Sequence, residues 1–142
     1  MQTHVLVVDD DEFVRSLLAR GLNHAGFLVT TADSAAEALP LLVDDAAAPV
    51  PVDVVLTDFS MPGLTGLDLV DVLKHADVEL PCLLMSGDMS EALESEAHAR
   101  GCVGCLGKPI RFAALVEHIH RALEVRAADL KQSVGTRAAR DL

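Results

Sequence analysis

Asp9, Asp10, Asp58, Ser86 and Lys108 are the residues of this chain whose types and positions could do chemistry together. Each closes a short apolar run: HVLVV before Asp9, VVL before Thr57 and Asp58, CLLM before Ser86, and CLG before Lys108. Carboxylates, a hydroxyl and an ammonium in one place suit phosphoryl transfer to a carboxylate. Several carboxylates bind Mg²⁺ well, because that ion is hard and prefers oxygen. The ion neutralises the incoming phosphoryl oxygens while Asp58 attacks in line and becomes an acyl phosphate. Lys108 supplies a second positive charge, and Ser86 a hydrogen bond to a phosphoryl oxygen. Taken singly, each residue has an ordinary explanation: Asp9 and Asp10 as helix caps, Asp58 and Ser86 as turn formers, Lys108 as a solvated charge. A carboxylate at the end of a buried strand, however, costs several kcal/mol unless cations or hydrogen bonds compensate. The joint placement carries the argument.

For these residues to meet, the elements before them must end at one edge. Valine-rich His4–Val8 reads as a strand covered on both faces. Further strands are expected over Phe27–Thr30, Val52–Thr57, Pro81–Met85 and Cys102–Leu106. Between them lie helical patterns. The first follows Asp11 as cap, with Val14, Leu17, Leu18, Leu22 and Ala25 in register and Gly26 as stop. The second opens with the capping-box sequence Ser34-Ala35-Ala36-Glu37 and contains Pro40, which predicts a kink or an early end. The third spans Thr65–His75. The fourth, capped by Asp88 or Ser90 and running to about Arg100, has a thin apolar face of Leu93 and Ala97, so it is lightly anchored. The last runs from Phe112 to about Val125. Ala46–Pro51 reads as a connector, and the chain from Ala127, including Arg137–Arg140, as a solvated tail. The expected organisation is one domain over 1–127 followed by a polar tail or linker over 128–142. Five alternations of strand and helix predict an α/β fold, a doubly wound parallel sheet with right-handed crossovers. In such sheets ligands bind beyond the carboxyl ends of the strands, where the five residues fall.

Composition narrows the partners. A net charge of −11 over 142 residues argues against direct nucleic-acid binding, since phosphates would be repelled. No apolar run reaches the roughly 20 residues of a membrane span and no signal-peptide pattern opens the chain, which points to a cytoplasmic protein. Cys102 and Cys105 form a lone CxxC; without a second ligand pair they are expected to be reduced, metal-free residues of the fold.

The segments VVDDD, Asp58-x-x-Met61-Pro62-x-x-x-Gly66, Ser86-Gly87 and Lys108-Pro109, in this order, resemble the receiver domain of two-component response regulators over roughly Thr3 to Val125. The resemblance implies a flavodoxin-like strand order 2-1-3-4-5. It implies that Asp58 takes a phosphoryl group from a histidine kinase or phosphotransfer protein. It also implies that Mg²⁺ is held by Asp10, Asp58 and the main-chain carbonyl of Ser60, with Asp9 acting mostly through water. Among the three adjacent aspartates, the strand end at Val8 favours Asp9 and Asp10 over Asp11. Such a domain catalyses only its own phosphorylation and dephosphorylation. It signals by contact with a downstream protein, and a homodimer is one assembly open to it. One departure stands out: family members usually carry an aromatic residue three positions before the lysine, where this chain has Cys105. A cysteine has little bulk to redistribute, so the signal is expected to travel as a backbone shift from Ser86 into the fourth helix. The competing reading is a haloacid-dehalogenase-type phosphatase, whose Asp-x-Asp signature Asp9 and Asp11 superficially match. Glu12-Phe13 stand where that family has a Gly-Thr-like turn, and no cap domain is inserted. A receiver that signals without phosphate is a third reading, against which the intact acidic set argues.

Overall fold

The structure is a computed structural model; it describes residues 2–44 and 50–140, with side chains as far as residue 128. Five strands, β1 (His4–Val8), β2 (Leu28–Ala32), β3 (Val54–Asp58), β4 (Cys82–Ser86) and β5 (Gly104–Gly107), alternate with five helices. The helices are α1 (Glu12–His24), α2 (Ala35–Val43), α3 (Gly66–His75), α4 (Glu91–Arg100) and α5 (Phe112–Arg140). The strands are all parallel, in the order β2-β1-β3-β4-β5. Alternate residues of each strand face opposite sides of the sheet. Val5, Val7, Val54, Leu56, Leu83 and Met85 pack with Leu18 and Leu22 of α1 and Leu115 and Ile119 of α5. Leu6, Val8, Val55 and Leu84 face the other way, onto Ala38 of α2, Leu69, Val70 and Leu73 of α3, and Ala97 of α4.

Several boundaries differ from the sequence reading for identifiable reasons. β2 continues beyond Thr30 to Ala32, because Thr31 and Ala32 still pair with Val7 and Val8. It is an edge strand, so polar threonines are tolerated in the ladder. β3 starts at Val54, and β3 and β4 include Asp58 and Ser86 as their last residues. α2 ends three residues after Pro40, the early stop expected of an interior proline. Its cap is half of the expected box: Ser34 Oγ accepts from the Glu37 amide at 3.2 Å, but the Glu37 carboxyl meets the Asp33 side chain instead. A full capping box forms on α3, where Thr65 Oγ1 accepts from Asp68 N and Asp68 Oδ2 accepts from Thr65 N. α5 does not stop near Val125 but runs to Arg140, over a sequence rich in the helix formers alanine, leucine, lysine and arginine. Of the expected connector Ala46–Pro51, residues 46–49 lie outside the described residues, as do 141–142 of the tail.

α4 is held as thinly as its sequence suggests. Ser90 is its cap, Ala97 is its one buried residue, and Leu93 is half-buried. Its C-terminal end is tied to α3 by Arg100 and Asp71 at 3.2 Å and closes on Gly101 in the left-handed conformation. The opposite end of the sheet from Asp58 is fastened by Asp53. Its Oδ2 accepts from His4 N at 2.8 Å, its amide donates to the His4 carbonyl at 2.8 Å, and its Oδ1 accepts from Arg126 Nη1 of α5 at 3.1 Å. The His4 ring is buried between Thr30 Oγ1 at 2.7 Å and the Val50 carbonyl at 3.0 Å. Among the described residues no helix is long and apolar enough to cross a membrane.

Candidate functional site

β1 and β3 are neighbours, so their ends bring Asp9, Asp10 and Asp58 together. One oxygen from each lies within 4.8 Å of the others. β5 ends on the far side of β4, and Lys108 reaches back across. Its Nζ donates to Asp9 Oδ2 at 2.9 Å and pairs with Asp58 Oδ1 at 3.1 Å. Asp9 is fully buried and every polar atom it has is engaged. Its amide donates to the Ala32 carbonyl at 3.1 Å, and its carbonyl accepts from Arg15 Nη1 at 2.7 Å. Its Oδ1 accepts from Asp11 N at 2.9 Å, and its Oδ2 takes the Lys108 bond. Asp10, one residue on, is exposed and faces the same cluster.

The electrostatics are those of an anionic pocket short of positive charge. Burial, then the charge of Asp9, raises the pKa of Asp58; Lys108 pulls it down but does not win. Burial pulls the Lys108 ammonium down, yet its hydrogen bonds to Asp9 and Asp58 outweigh that and leave it above its ordinary value. Three carboxylates share a single ammonium here, which leaves the cluster a net charge of −2 when all are ionised. A hard dication matches both that deficit and the all-oxygen donor set.

Ser86 is buried at the end of β4, between β3 and β5. Its carbonyl accepts from Lys108 N at 2.9 Å and its Oγ accepts from Asp88 N at 3.1 Å, so it belongs to the same edge without touching the carboxylates. Ser60 lies exposed on the loop after β3. That loop is fixed by the Phe59 amide on the Met85 carbonyl at 2.8 Å, by the Gly66 amide on the Phe59 carbonyl at 3.0 Å, and by buried Met61. Asp11 stands apart from the cluster. Its Oδ1 accepts from Phe13 N at 2.9 Å and Val14 N at 3.3 Å, capping α1. The structure adds Arg15, which the sequence analysis does not single out. A cation in the first turn of α1, against the helix dipole, was the signal available for it.

Cys105 occupies the middle of β5, half-buried, with burial and then Glu94 raising its thiol pKa. Cys82 and Cys102 are free, buried thiols whose pKa burial pushes up to about 12.

A sheet of order 2-1-3-4-5 with three aspartates and a lysine at its carboxyl edge is an arrangement suited to phosphoryl transfer onto a carboxylate. The chain belongs to the response regulator receiver domain family, whose pattern matches residues 5–120. It is 37% identical over 125 residues to the C4-dicarboxylate transport transcriptional regulatory protein DctD of Pseudomonas aeruginosa, covering 88% of this chain and 26% of that protein. It is 34% identical over 140 residues to the transcriptional regulatory protein FixJ of Azorhizobium caulinodans, covering 95% of this chain and 64% of FixJ. Among solved structures, FixJ-N superposes with a TM-score of 0.78 at 31% identity, covering 87% of this chain and 95% of that one. The chemotaxis protein CheY4 of Vibrio cholerae gives 0.75 at 30%, covering 87% and 100%. The chain thus spans less than two thirds of the length of these two curated relatives. Its function class is phosphorylation-controlled signalling. The phosphatase reading finds no support, and Asp11, the second acid of its signature, is committed to capping α1.

Proposed function

We propose that Asp58 is the phosphoacceptor, that the domain works with Mg²⁺, and that it takes its phosphoryl group from a phosphohistidine of a histidine kinase or phosphotransfer protein. The observation that carries this reading is the cluster of Asp9, Asp10 and Asp58 oxygens within 4.8 Å with one ammonium among them. Asp10, Asp58 and the main-chain carbonyl of Ser60 would hold the ion. Asp9 would act through water, because Lys108 and the Asp11 amide already occupy its oxygens. The bound ion supplies charge neutralisation for the phosphoryl oxygens. Asp58 provides the attacking carboxylate oxygen. As its P–O bond forms, the P–N bond of the donor breaks and the imidazole nitrogen leaves with the electron pair. Lys108, now on Asp58 Oδ1, stays beside the transferred group and pairs with its charge. The domain in this reading catalyses its own phosphorylation and dephosphorylation and has no separate substrate.

Ser86 reads the result. Its oxygen accepts from Asp88 N, so its own O–H remains to donate to a phosphoryl oxygen. A pull on Ser86 reaches the Asp88 amide directly and, two residues later, the α4 cap Ser90. Lys108 moves with it, since its amide is bonded to the Ser86 carbonyl. The output is contact with a downstream protein in a cytoplasmic setting, with a homodimer as one form of that contact. The curated relatives include proteins named as DNA-binding regulators, but a net charge of −11 argues against DNA binding by this stretch itself.

The test is intact-mass analysis after incubation with a small phosphodonor and Mg²⁺. The wild-type chain should gain one phosphoryl group, and Asp58→Asn and Mg²⁺-free samples none. An Asp58→Asn chain that is modified at the wild-type rate overturns the assignment.

A further inference from the structure

We propose that Arg15 is a positioning residue for the metal site, acting by holding the peptide between Asp9 and Asp10; this rests on the Mg²⁺ reading above. Arg15 is the fourth residue of α1, and its backbone amide already donates to the Asp11 carbonyl at 3.0 Å. Its guanidinium turns back over the start of the helix and donates from Nη1 to the Asp9 carbonyl oxygen at 2.7 Å, the shortest of the bonds that hold Asp9.

The place of that bond is what matters. The Asp9 carbonyl belongs to the peptide plane that connects Asp9 to Asp10. The remaining contacts of Asp9 fix its carboxylate and its amide, on the near side of the residue. The Asp11 amide on Asp9 Oδ1 spans this peptide as a turn, but among the bonds that hold Asp9 only the Arg15 guanidinium grips its carbonyl oxygen directly. Asp10 is exposed, and the backbone beneath it sets where its Cβ projects and so which positions its carboxylate can reach in the cluster. A donor on the Asp9 carbonyl therefore aims Asp10, at a distance and without touching it. The guanidinium, planar and permanently charged, suits this work better than a flexible ammonium.

Its location is costly in two respects. A cation in the first turn of a helix opposes the helix dipole. A cation next to a cation-binding site repels the ion. Asp33 and Glu37 at the start of α2 feel the Arg15 charge and offset part of it. These costs give the proposal a diagnostic sign. If Arg15 mattered through its charge alone, removing it would tighten Mg²⁺ binding. If it mattered only to folding, removal would lower the melting point and leave the affinity unchanged. If it aims Asp10, removal weakens Mg²⁺ binding although a repelling charge has gone.

The experiment is an NMR titration of the full chain with MgCl₂, following the amides of Asp10 and Asp11, for wild type, Arg15→Gln, Arg15→Lys and Asp10→Asn. Thermal midpoints of the metal-free proteins are measured alongside. Partners that orient a metal ligand typically contribute about 10–100-fold in affinity, and Arg15 acts one bond further away. We expect Arg15→Gln to weaken Mg²⁺ by about three- to tenfold, and Arg15→Lys to fall between it and wild type. An Arg15→Gln chain that binds Mg²⁺ as tightly as wild type, or more tightly, overturns the proposal while leaving the site intact. If that variant does not fold, Arg15→Lys decides, and wild-type or tighter affinity there overturns the proposal. Asp10→Asn separates the two levels: wild-type affinity in that variant overturns the metal-site reading and the Arg15 inference with it.

Discussion

Gly66 meets the backbone of Asp58 so closely that a Cβ added to Gly66 would stand 2.3 Å from the Asp58 carbonyl oxygen. The first turn of α3 is thereby pressed against the residue proposed to accept the phosphoryl group. Gly66→Ala must push β3 and α3 apart, at a cost of about 1–3 kcal/mol. Gly87, with nothing within 4 Å of an added Cβ, is the control, and Gly87→Ala should stay within about 0.5 kcal/mol of wild type. Urea midpoints check both. Phosphorylation of Asp58 should slow in Gly66→Ala, because the displaced strand end carries the acceptor.

The raised pKa of Asp58 makes a pH prediction with a definite sign. A carboxyl whose folded pKa lies above its unfolded value stabilises the fold at low pH and loses that contribution as pH rises through the folded value. Burial and Asp9 cause the rise, so ionised Asp58 is a burden on the metal-free protein at neutral pH. Asp58→Asn should melt higher than wild type near pH 7, and the difference should shrink below about pH 4, near the unfolded carboxyl pKa. Mg²⁺ should narrow the gap at pH 7 by stabilising the wild type. Melting curves whose separation is the same at every pH would contradict this.

The cysteines differ in reactivity. Cys82 and Cys102, buried and with pKa values near 12, carry essentially no thiolate at pH 8. Alkylation of the native protein followed by peptide mass spectrometry should therefore find label at Cys105 first. The other two should react only after unfolding. Early label at Cys102 would mean that the turn between α4 and β5 opens far more readily than the bond from the Cys102 amide to the Ala97 carbonyl at 2.9 Å implies.

Transmission through Ser86 is checked by amide hydrogen exchange with and without a phosphoryl mimic. Protection should change from Ser86 through α4, survive Cys105→Ala and disappear in Ser86→Ala. The thin packing of α4, with Ala97 as its buried residue, is what lets so local a pull move it. Loss of the change in Cys105→Ala would make the cysteine the switch.

Much of this arrangement can be read directly from the chain. Unbroken apolar runs such as Val5–Val8 and Val54–Leu56 occur because those strands are covered on both faces, so their ends, and the acids on them, are visible in the sequence. Edge positions are harder. Thr30 and Thr31 look like the end of β2 because an edge strand does not need apolar residues to keep pairing. The run after Val125 loses its stripe, but it is rich in helix-forming residues and α5 continues through it. Glu37 fits the capping-box spacing and still turns to Asp33, a choice that depends on a neighbour the motif does not include. For Arg15 the sequence offers only its unusual place in the first turn of α1; its partner is a main-chain carbonyl, which no side-chain pattern announces.

Asp53 gives the module a mechanical polarity. By gripping His4 on one side and Arg126 on the other, it clamps the roots of β1 and β3 to the shaft of α5. The carboxyl ends of the strands, with Ser86 and α4, form the free end of the same beam. A tug applied there bends the tip and dies away toward the clamp, so the deflection is concentrated where a partner could feel it, on one side of the molecule. Cutting the clamp with Asp53→Ala would let the same tug spread through the whole sheet, trading a localised gesture for a diffuse loosening.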